Sequence, residues 1–100
     1  MVPGDTTRIT PQSVIEAANI KYPRIRLELV RISKPEAYVR IKDATYLTQS
    51  MGSAGAESYL AEVTYSLTAV RGITSVSFEF PAGDHASPGT YTREDFAGLR

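Results

Sequence analysis

The sequence contains no cysteine, which excludes several kinds of chemistry at once. Disulfide bonds, thiolate nucleophiles and zinc sites built from thiolates all require that residue. The chain also lacks any run approaching the roughly 20 apolar residues that cross a bilayer. We expect no signal peptide in the opening "MVPGDTTRI", because it has neither a basic segment nor an apolar one. A chain of 100 residues, 42% of them hydrophobic, instead predicts one domain around a single two-layer core.

An excess of charge of either sign is also missing, since 11 basic residues balance 11 acidic ones. A general binder of polyanions is therefore not favoured. The distribution is less even than the total. The segment 24–42 holds six basic residues against two acidic ones, so the rest of the chain carries the opposite excess. The sequence thus predicts a dipolar domain.

Catalytic side chains are scarce. His85 is the only histidine and stands beside Asp84, which makes it the one candidate for a histidine general base or metal ligand. Such a site needs several converging groups, and none is visible around this pair. The nucleophile motif G-x-S-x-G is absent. Glu94 and Asp95 follow Thr92, where helix-terminus electrostatics explains them better than acid–base catalysis. We predict no enzymatic activity, no catalytic residue, no cofactor and no metal site.

The first helical pattern begins at Thr10, a candidate N-cap, with Pro11 at the first helical position. Ile9 and Val14 have the spacing of a hydrophobic staple around that cap. The apolar positions that follow share one face of a helix. Pro23 then ends the helix, because the residue before a proline is pushed towards extended geometry.

Two segments, "RIRLELV" and "AYVRIKD", alternate with period two and are separated by the turn "SKPE". They predict an antiparallel hairpin with one apolar face under the helices and one charged face. Arginine and tyrosine are enriched where proteins meet, so the charged face is a candidate contact surface. A merely solvated face is the alternative. The candidate interaction surface consists of Arg24, Arg26, Tyr38, Arg40 and Lys42.

The stretch "VTYSLTAVRGITSVSFEF" changes period halfway. Its first part continues a helical stripe that ends at Val70, and Gly72 suits the left-handed position after a helix. Alternation through Phe80 then predicts a third strand, parallel to the second because a helix connects the two. The predicted fold is an α+β two-layer sandwich of order α-β-β-α-β. It has a three-stranded mixed sheet with two helices on one face.

We expect residues 1–8 to be a flexible lead-in and residues 9–100 to be a single domain. The segment "DATYLTQSMGSAG" between the second strand and the second helix is predicted to be a loop. Residues 81–100 are predicted to be a loop and then a short helical turn. Thr92 would cap that turn, with Tyr91 packing on Phe96.

Within the predicted loop, "GSAG" from Gly52 to Gly55 has the G-x-x-G form that KH domains use to clamp a nucleic-acid backbone. The order α-β-β-α-β agrees with that reading. Against it, Ser53 and Ala54 carry no positive charge, the net charge is zero, and the motif follows a strand and a loop. A KH-like domain that binds single-stranded RNA is therefore the alternative function.

The segment "YLAEVTYSLTAVRGITSVSFEF" resembles the GerMN (sporulation and spore germination) domain family. That family carries a helix ending in Tyr-Thr/Ser-Leu-Thr, a Gly-hydrophobic joint and a strand of V-x-F/V pattern. The matching positions are Tyr65, Ser66, Leu67, Thr68, Gly72, Ile73, Val76 and Phe78. "EAYVRIKDA" at 36–44 and "TYTREDF" at 90–96 are similar to two further segments of the family.

This resemblance implies a bacterial, extracytoplasmic domain, often part of a lipoprotein, with a fold like the ring-building motif. It implies a non-enzymatic docking or assembly module of the cell envelope, acting in sporulation or germination. The partner would be another protein or another copy of the domain, with ring formation as one form of assembly. No catalytic residue is implied, and the polar atoms of "YSLT" would serve the helix and its joint.

Overall fold

The computed structural model describes residues 9–50, 52–81 and 88–99. It confirms an α+β fold with two helices and a mixed sheet. The helices are α1 (Pro11–Lys21) and α2 (Gly52–Thr68), and the strands are β1 (Leu27–Ser33), β2 (Glu36–Ile41), β3 (Ser75–Glu79) and β4 (Gly89–Tyr91). A π-helical turn (Tyr46–Ser50) precedes α2, and a 3-10 helix (Arg93–Leu99) follows β4. Both helices contribute to one continuous core on the apolar face of the sheet.

The strand order is β1-β2-β3-β4. β1 and β2 form the predicted antiparallel hairpin, and β3 lies parallel to β2 as predicted. The prediction of three strands was wrong, because β4 adds a fourth strand antiparallel to β3. Its three residues are too few to show alternation and lie in a glycine- and proline-rich segment. Tertiary packing supports it instead: the ring of Tyr91 meets that of Phe78 edge-on, with centroids 5.8 Å apart.

β1 departs from the strict alternation that predicted it. The strand begins three residues later than its pattern, at Leu27, and continues to Ser33. A bulge between Leu29 and Arg31 inserts Val30 as an extra residue. The bulge resets the alternation, so the apolar residues before and after it face the same side of the sheet.

The predicted start of α1 is confirmed. The N–H of Ser13 donates to Thr10 Oγ1, and the N–H of Thr10 donates to Ser13 Oγ, each at 3.1 Å. This reciprocal pair satisfies two backbone donors at the helix start. The prediction placed the end of this helix before Pro23, and the helix indeed ends at Lys21, two residues before that proline.

The predicted stripe of α2 is buried from Ala56 to Leu67, but the buried face is wider than the stripe. Tyr59 and Thr64 are fully buried as well. The predicted loop at 43–55 was wrong over most of its length, because Tyr46–Ser50 is helical and α2 already begins at Gly52. The side chain of Leu47 is fully buried in the core and holds this segment in place. Its neighbours in the sequence are mostly small or polar, which is why the segment was predicted to be a loop.

The joint between α2 and β3 depends on Gly72, as predicted. Its φ of +91° lies in the left-handed region, which a side chain disfavours. A Cβ there would also meet the side chain of Lys34 at 3.1 Å. Ile73 follows and is buried, so the chain enters β3 with its first apolar side chain already in the core.

Candidate functional site

The charged face of the sheet carries the centre of the candidate interaction surface. In β2, Ala37, Val39 and Ile41 are buried, whereas Glu36, Tyr38 and Arg40 lie on the opposite face. The helices pack on the first of these faces. The second, which we call the open face, keeps its charged side chains in contact with solvent; Glu79, for example, is 75% exposed.

A row of three charged residues crosses the open face. The strand registers place Glu28 beside Arg40 and Arg40 beside Glu79. The guanidinium of Arg40 lies 3.9 Å from a carboxylate oxygen on each side. Each of these exposed pairs contributes at most about 1 kcal/mol. Arg40, predicted as part of a basic surface, is thus the only cation in a row with two carboxylates.

A second group on the open face centres on Tyr38. The guanidinium of Arg31 stacks 4.4 Å from the centroid of its ring. The hydroxyl of Tyr38 donates to a carboxylate oxygen of Glu36 at 2.5 Å. Sequence reasoning missed Arg31, because strict alternation from Leu27 would have turned it into the core. A charged residue at a predicted core position was the available sign that β1 contains a bulge.

The remaining residues of the candidate surface lie apart from this group. Arg24 and Arg26 precede β1 rather than belonging to it. The guanidinium of Arg24 lies 5.5 Å from the ring centroid of Tyr46, beside a shallow cavity of about 390 Å³. Arg26 and Lys42 are exposed and flank the end of the hairpin, where Leu27 pairs with Ile41. The surface therefore divides into the open face and a basic end, which consists of Arg24, Arg26 and Lys42.

Two of the three segments that carry the family resemblance meet through Arg93. Its Nε donates to Thr68 Oγ1 at 2.7 Å, and its Nη2 donates to the carbonyl oxygen of Tyr65 at 2.9 Å. The guanidinium also lies 5.3 Å from the centroid of the Tyr65 ring. Thr68 Oγ1 in turn donates to the carbonyl oxygen of Thr64 at 2.7 Å. A cation at carbonyls of the last helical turn is a stabilising arrangement, so these polar atoms have a structural role.

The 3-10 helix that carries Arg93 is closed at its start by Asp95. The N–H of Thr92 donates to Asp95 Oδ2 at 2.7 Å, and the N–H of Asp95 donates to the carbonyl oxygen of Thr92 at 3.1 Å. Thr92 therefore holds the predicted N-cap position, but the accepting side chain is that of Asp95, to which the Thr92 hydroxyl also donates at 3.4 Å. The predicted packing of Tyr91 on Phe96 is confirmed, with ring centroids 5.5 Å apart.

We expect Arg93→Ala to lower the free energy of unfolding by about 1–2 kcal/mol, because two charge-assisted hydrogen bonds are lost. Arg71→Ala, at an exposed position just after α2, is the matched control and should change stability by no more than about 0.5 kcal/mol. Urea titrations of both variants measure the difference. Equal midpoints for the two variants would show that Arg93 does not join the two segments.

A groove of about 530 Å³ runs between α1 and α2, with Ala18 and Val63 among its lining residues. At one end, Glu62 accepts hydrogen bonds from Lys21 Nζ at 2.9 Å and from the Tyr22 hydroxyl at 2.7 Å. Burial raises the pKa of Glu62, but these hydrogen bonds and the charge of Lys21 outweigh it and hold that pKa below its usual value. The carboxylate is therefore kept ionised, which suits an ion pair between two helices and not a general acid.

The sequence predicts no catalytic histidine site, no metal site and no membrane span, and the described residues bear on only part of this prediction. Asp84 and His85 lie outside the described residues. Within residues 9–50, 52–81 and 88–99, no three acidic, histidine or cysteine side chains are grouped so that they could hold a metal ion. Over the same ranges, no helix is long and apolar enough to cross a membrane.

The G-x-x-G motif lies in a helix and not in a loop. Gly52–Gly55 forms the first turn of α2, and Gly52 enters it with a φ of +77°. A KH motif clamps the nucleic-acid backbone with a loop. This placement gives the KH-like alternative no further support.

Comparisons of the chain with protein-family models, with curated proteins and with solved structures find no match. The resemblance to the GerMN family therefore rests on the quoted residues. Membership of that family stays a prediction.

Proposed function

We propose that this domain is a non-enzymatic docking and assembly module of GerMN type in a bacterial cell-envelope protein. The proposed compartment is extracytoplasmic, and the proposed process is sporulation or spore germination. The observation that carries the proposal is the open face, a sheet surface not covered by the helices, whose charged side chains form no catalytic arrangement among the described residues. The partner is a protein, either a different one or another copy of this domain.

The contact around Arg93 supports the GerMN part of the proposal. Three segments carry the resemblance, and two of them, "YSLT" and "TYTREDF", are joined by hydrogen bonds from Arg93 to Tyr65 and Thr68. Polar residues that hold a helix to a C-terminal turn have a reason to recur in a family without forming an active site. This is the role that the resemblance implies for them.

The division of charge supports a head-to-tail contact between copies. The row on the open face has two carboxylates for one guanidinium, whereas the basic end has three cations beside the single carboxylate of Asp43. Surfaces of opposite charge on one molecule attract each other between copies and set their orientation. A contact of this heterologous kind produces rings where the rotation closes and filaments where it does not.

The experiment is sedimentation velocity over a range of protein concentrations at low ionic strength. Lys42→Glu, in the basic end, and Glu79→Lys, in the row, should each weaken self-association about tenfold or more, because each places like charges together. Both side chains are exposed, so stability should change by no more than about 0.5 kcal/mol in Lys42→Glu, and by about 1 kcal/mol in Glu79→Lys, which also loses the pair with Arg40. Glu57→Lys, exposed on α2, makes the same charge change away from the sheet and is the control.

Two results would contradict the proposed contact. One is self-association that responds to Glu57→Lys as strongly as to Glu79→Lys, which would indicate a response to net charge alone. The other is self-association that neither Lys42→Glu nor Glu79→Lys changes. Raised salt should weaken the contact in the wild-type protein, since exposed charges are screened.

A further inference from the structure

The two outer strands of the sheet differ in length. β4 has three residues, whereas β1 at the other end has seven. A short edge strand offers few backbone groups to another chain, whereas a long one is a template for pairing. The available edge of this sheet is therefore β1.

The start of the β1 edge is already occupied by a side chain. The amide of Asn19 on α1 donates to the carbonyl oxygen of Leu27 at 3.0 Å and accepts from the N–H of Leu27 at 2.7 Å. Both backbone groups of Leu27 thus point away from β2, towards the edge. Asn19 takes the place that a neighbouring strand would have at this residue.

The same direction can be assigned to two further residues of β1. In an antiparallel pair, opposed residues alternate between those that bond each other and those that face away. β2 contains no bulge, so Val39 and Ala37 face away from β1 as Ile41 does. Their partners, Leu29 and Ile32, therefore present their N–H and C=O groups to the edge. Among the described residues, no hydrogen bond from a side chain satisfies them as Asn19 satisfies Leu27.

The side chains along this edge suit contact with another chain. Leu29 and Ile32 are half-buried on the helix side of the sheet, and Val30 at the bulge is 42% exposed. On the open face, Glu28 and Arg31 have opposite charges. The edge thus offers backbone groups, an apolar strip and a pair of complementary charges.

We propose that β1 pairs antiparallel with β1 of a second copy about a two-fold axis. Leu29 lies opposite Ile32 of the second copy, and Ile32 opposite its Leu29. Edge-facing backbone then meets edge-facing backbone, and apolar side chains meet on the helix side. Glu28 lies diagonally across from Arg31 of the second copy, within reach of long side chains, and the two Arg31 side chains lie opposite each other at the two-fold axis, so each guanidinium has both a carboxylate and a like charge nearby.

The pairing is self-complementary, as a two-fold contact requires. It joins the four strands of each copy into one eight-stranded sheet with all helices on one side. A register with Leu27 opposite Ile32 of the second copy would displace the Asn19 amide from Leu27. The proposed register avoids this and also places the bulge of one copy opposite the bulge of the other. The proposal rests on the proposed docking function, and it names the partner as a second copy and the contact as the β1 edge.

The test is amide hydrogen exchange of the whole chain, followed by NMR as the protein concentration rises, beside sedimentation velocity. Exchange at Leu29 and Ile32 should slow as the dimer forms, because only those amides gain hydrogen bonds. Arg31→Glu should abolish both the slowing and the dimer, since it faces Glu28 of the second copy. The double variant Glu28→Arg/Arg31→Glu should restore both.

The outcomes separate this contact from the head-to-tail contact. If Leu29 and Ile32 exchange equally fast at every concentration, the edge pairing is overturned. The open-face function still stands if Lys42→Glu and Glu79→Lys weaken association. If the two amides are protected and those two variants have no effect, the edge pairing holds and the head-to-tail contact fails. Because Glu28 also belongs to the row on the open face, the double charge variant is judged by amide exchange, and unprotected amides at Leu29 and Ile32 in that variant also count against the edge pairing.

Discussion

Leu67→Ala is expected to lower the free energy of unfolding by about 2–5 kcal/mol. Leu67 has no exposed surface and belongs to the core that α2 forms with the sheet. The substitution removes buried methyl groups and leaves a cavity that close-packed neighbours fill only in part. A loss of this size is a large share of the roughly 5–15 kcal/mol by which a whole domain is stable.

The matched control is Ile20→Ala on α1. Ile20 is also an aliphatic residue in a helix, but 80% of its surface is exposed. Its truncation should change stability by no more than about 0.5 kcal/mol. Urea titrations followed by far-UV circular dichroism measure both variants. If Leu67→Ala were tolerated as well as Ile20→Ala, the assignment of helix faces would be wrong, and the open face with it.

Tyr59→Phe is expected to raise stability by about 1–3 kcal/mol. The side chain of Tyr59 is fully buried, and its hydroxyl has no hydrogen-bond partner among the described residues. An unsatisfied polar group in the core carries its full cost of desolvation. Burial also raises the pKa of Tyr59, so the side chain is neutral, and the cost is that of desolvating an uncharged hydroxyl. The phenylalanine ring keeps the same shape and removes that cost.

Tyr22→Phe provides the contrast. The rings of Tyr22 and Tyr59 meet edge-on with centroids 4.9 Å apart, so both substitutions act in one environment. The Tyr22 hydroxyl donates to Glu62 at 2.7 Å, and its removal should lower stability by about 1–2 kcal/mol. Thermal and urea unfolding of the two variants should therefore shift in opposite directions. Shifts in the same direction would mean that the Tyr59 hydroxyl has a partner, such as a buried water.

Local signals in the sequence account for the elements that were predicted correctly. Thr10 with Pro11 defines the start of α1, and Gly72 defines the joint into β3. These positions act through a few neighbouring residues, so the sequence alone reveals them. The parallel pairing of β2 with β3 follows equally directly, from the helix that connects them.

The elements that were missed depend on contacts distant in sequence. The three residues of β4 become a strand only because β3 lies beside them and Tyr91 packs on Phe78. The helical turn before α2 depends on Leu47 reaching the core. Neither contact leaves a pattern in the segment itself.

The residues of the open face could be predicted only in part, for a related reason. Tyr38 and Arg40 follow from the alternation of β2 alone. Their neighbours Glu28 and Arg31 depend on the register of β1, and the bulge at Val30 changes that register. A bulge is a property of two paired strands, so one strand's pattern indicates it only by an inconsistency.

In the contact that we propose, oppositely charged surfaces of this domain bind each other between copies. The most direct measurement is the association constant of the double variant Lys42→Glu/Glu79→Lys, beside the two single variants and the wild-type protein. If the basic end contacts the row on the open face, exchanging the charges should restore association that each single change weakens. We expect the double variant to associate about tenfold more strongly than the weaker single variant. If the losses of association free energy in the two single variants simply add in the double variant, the basic end does not contact the row.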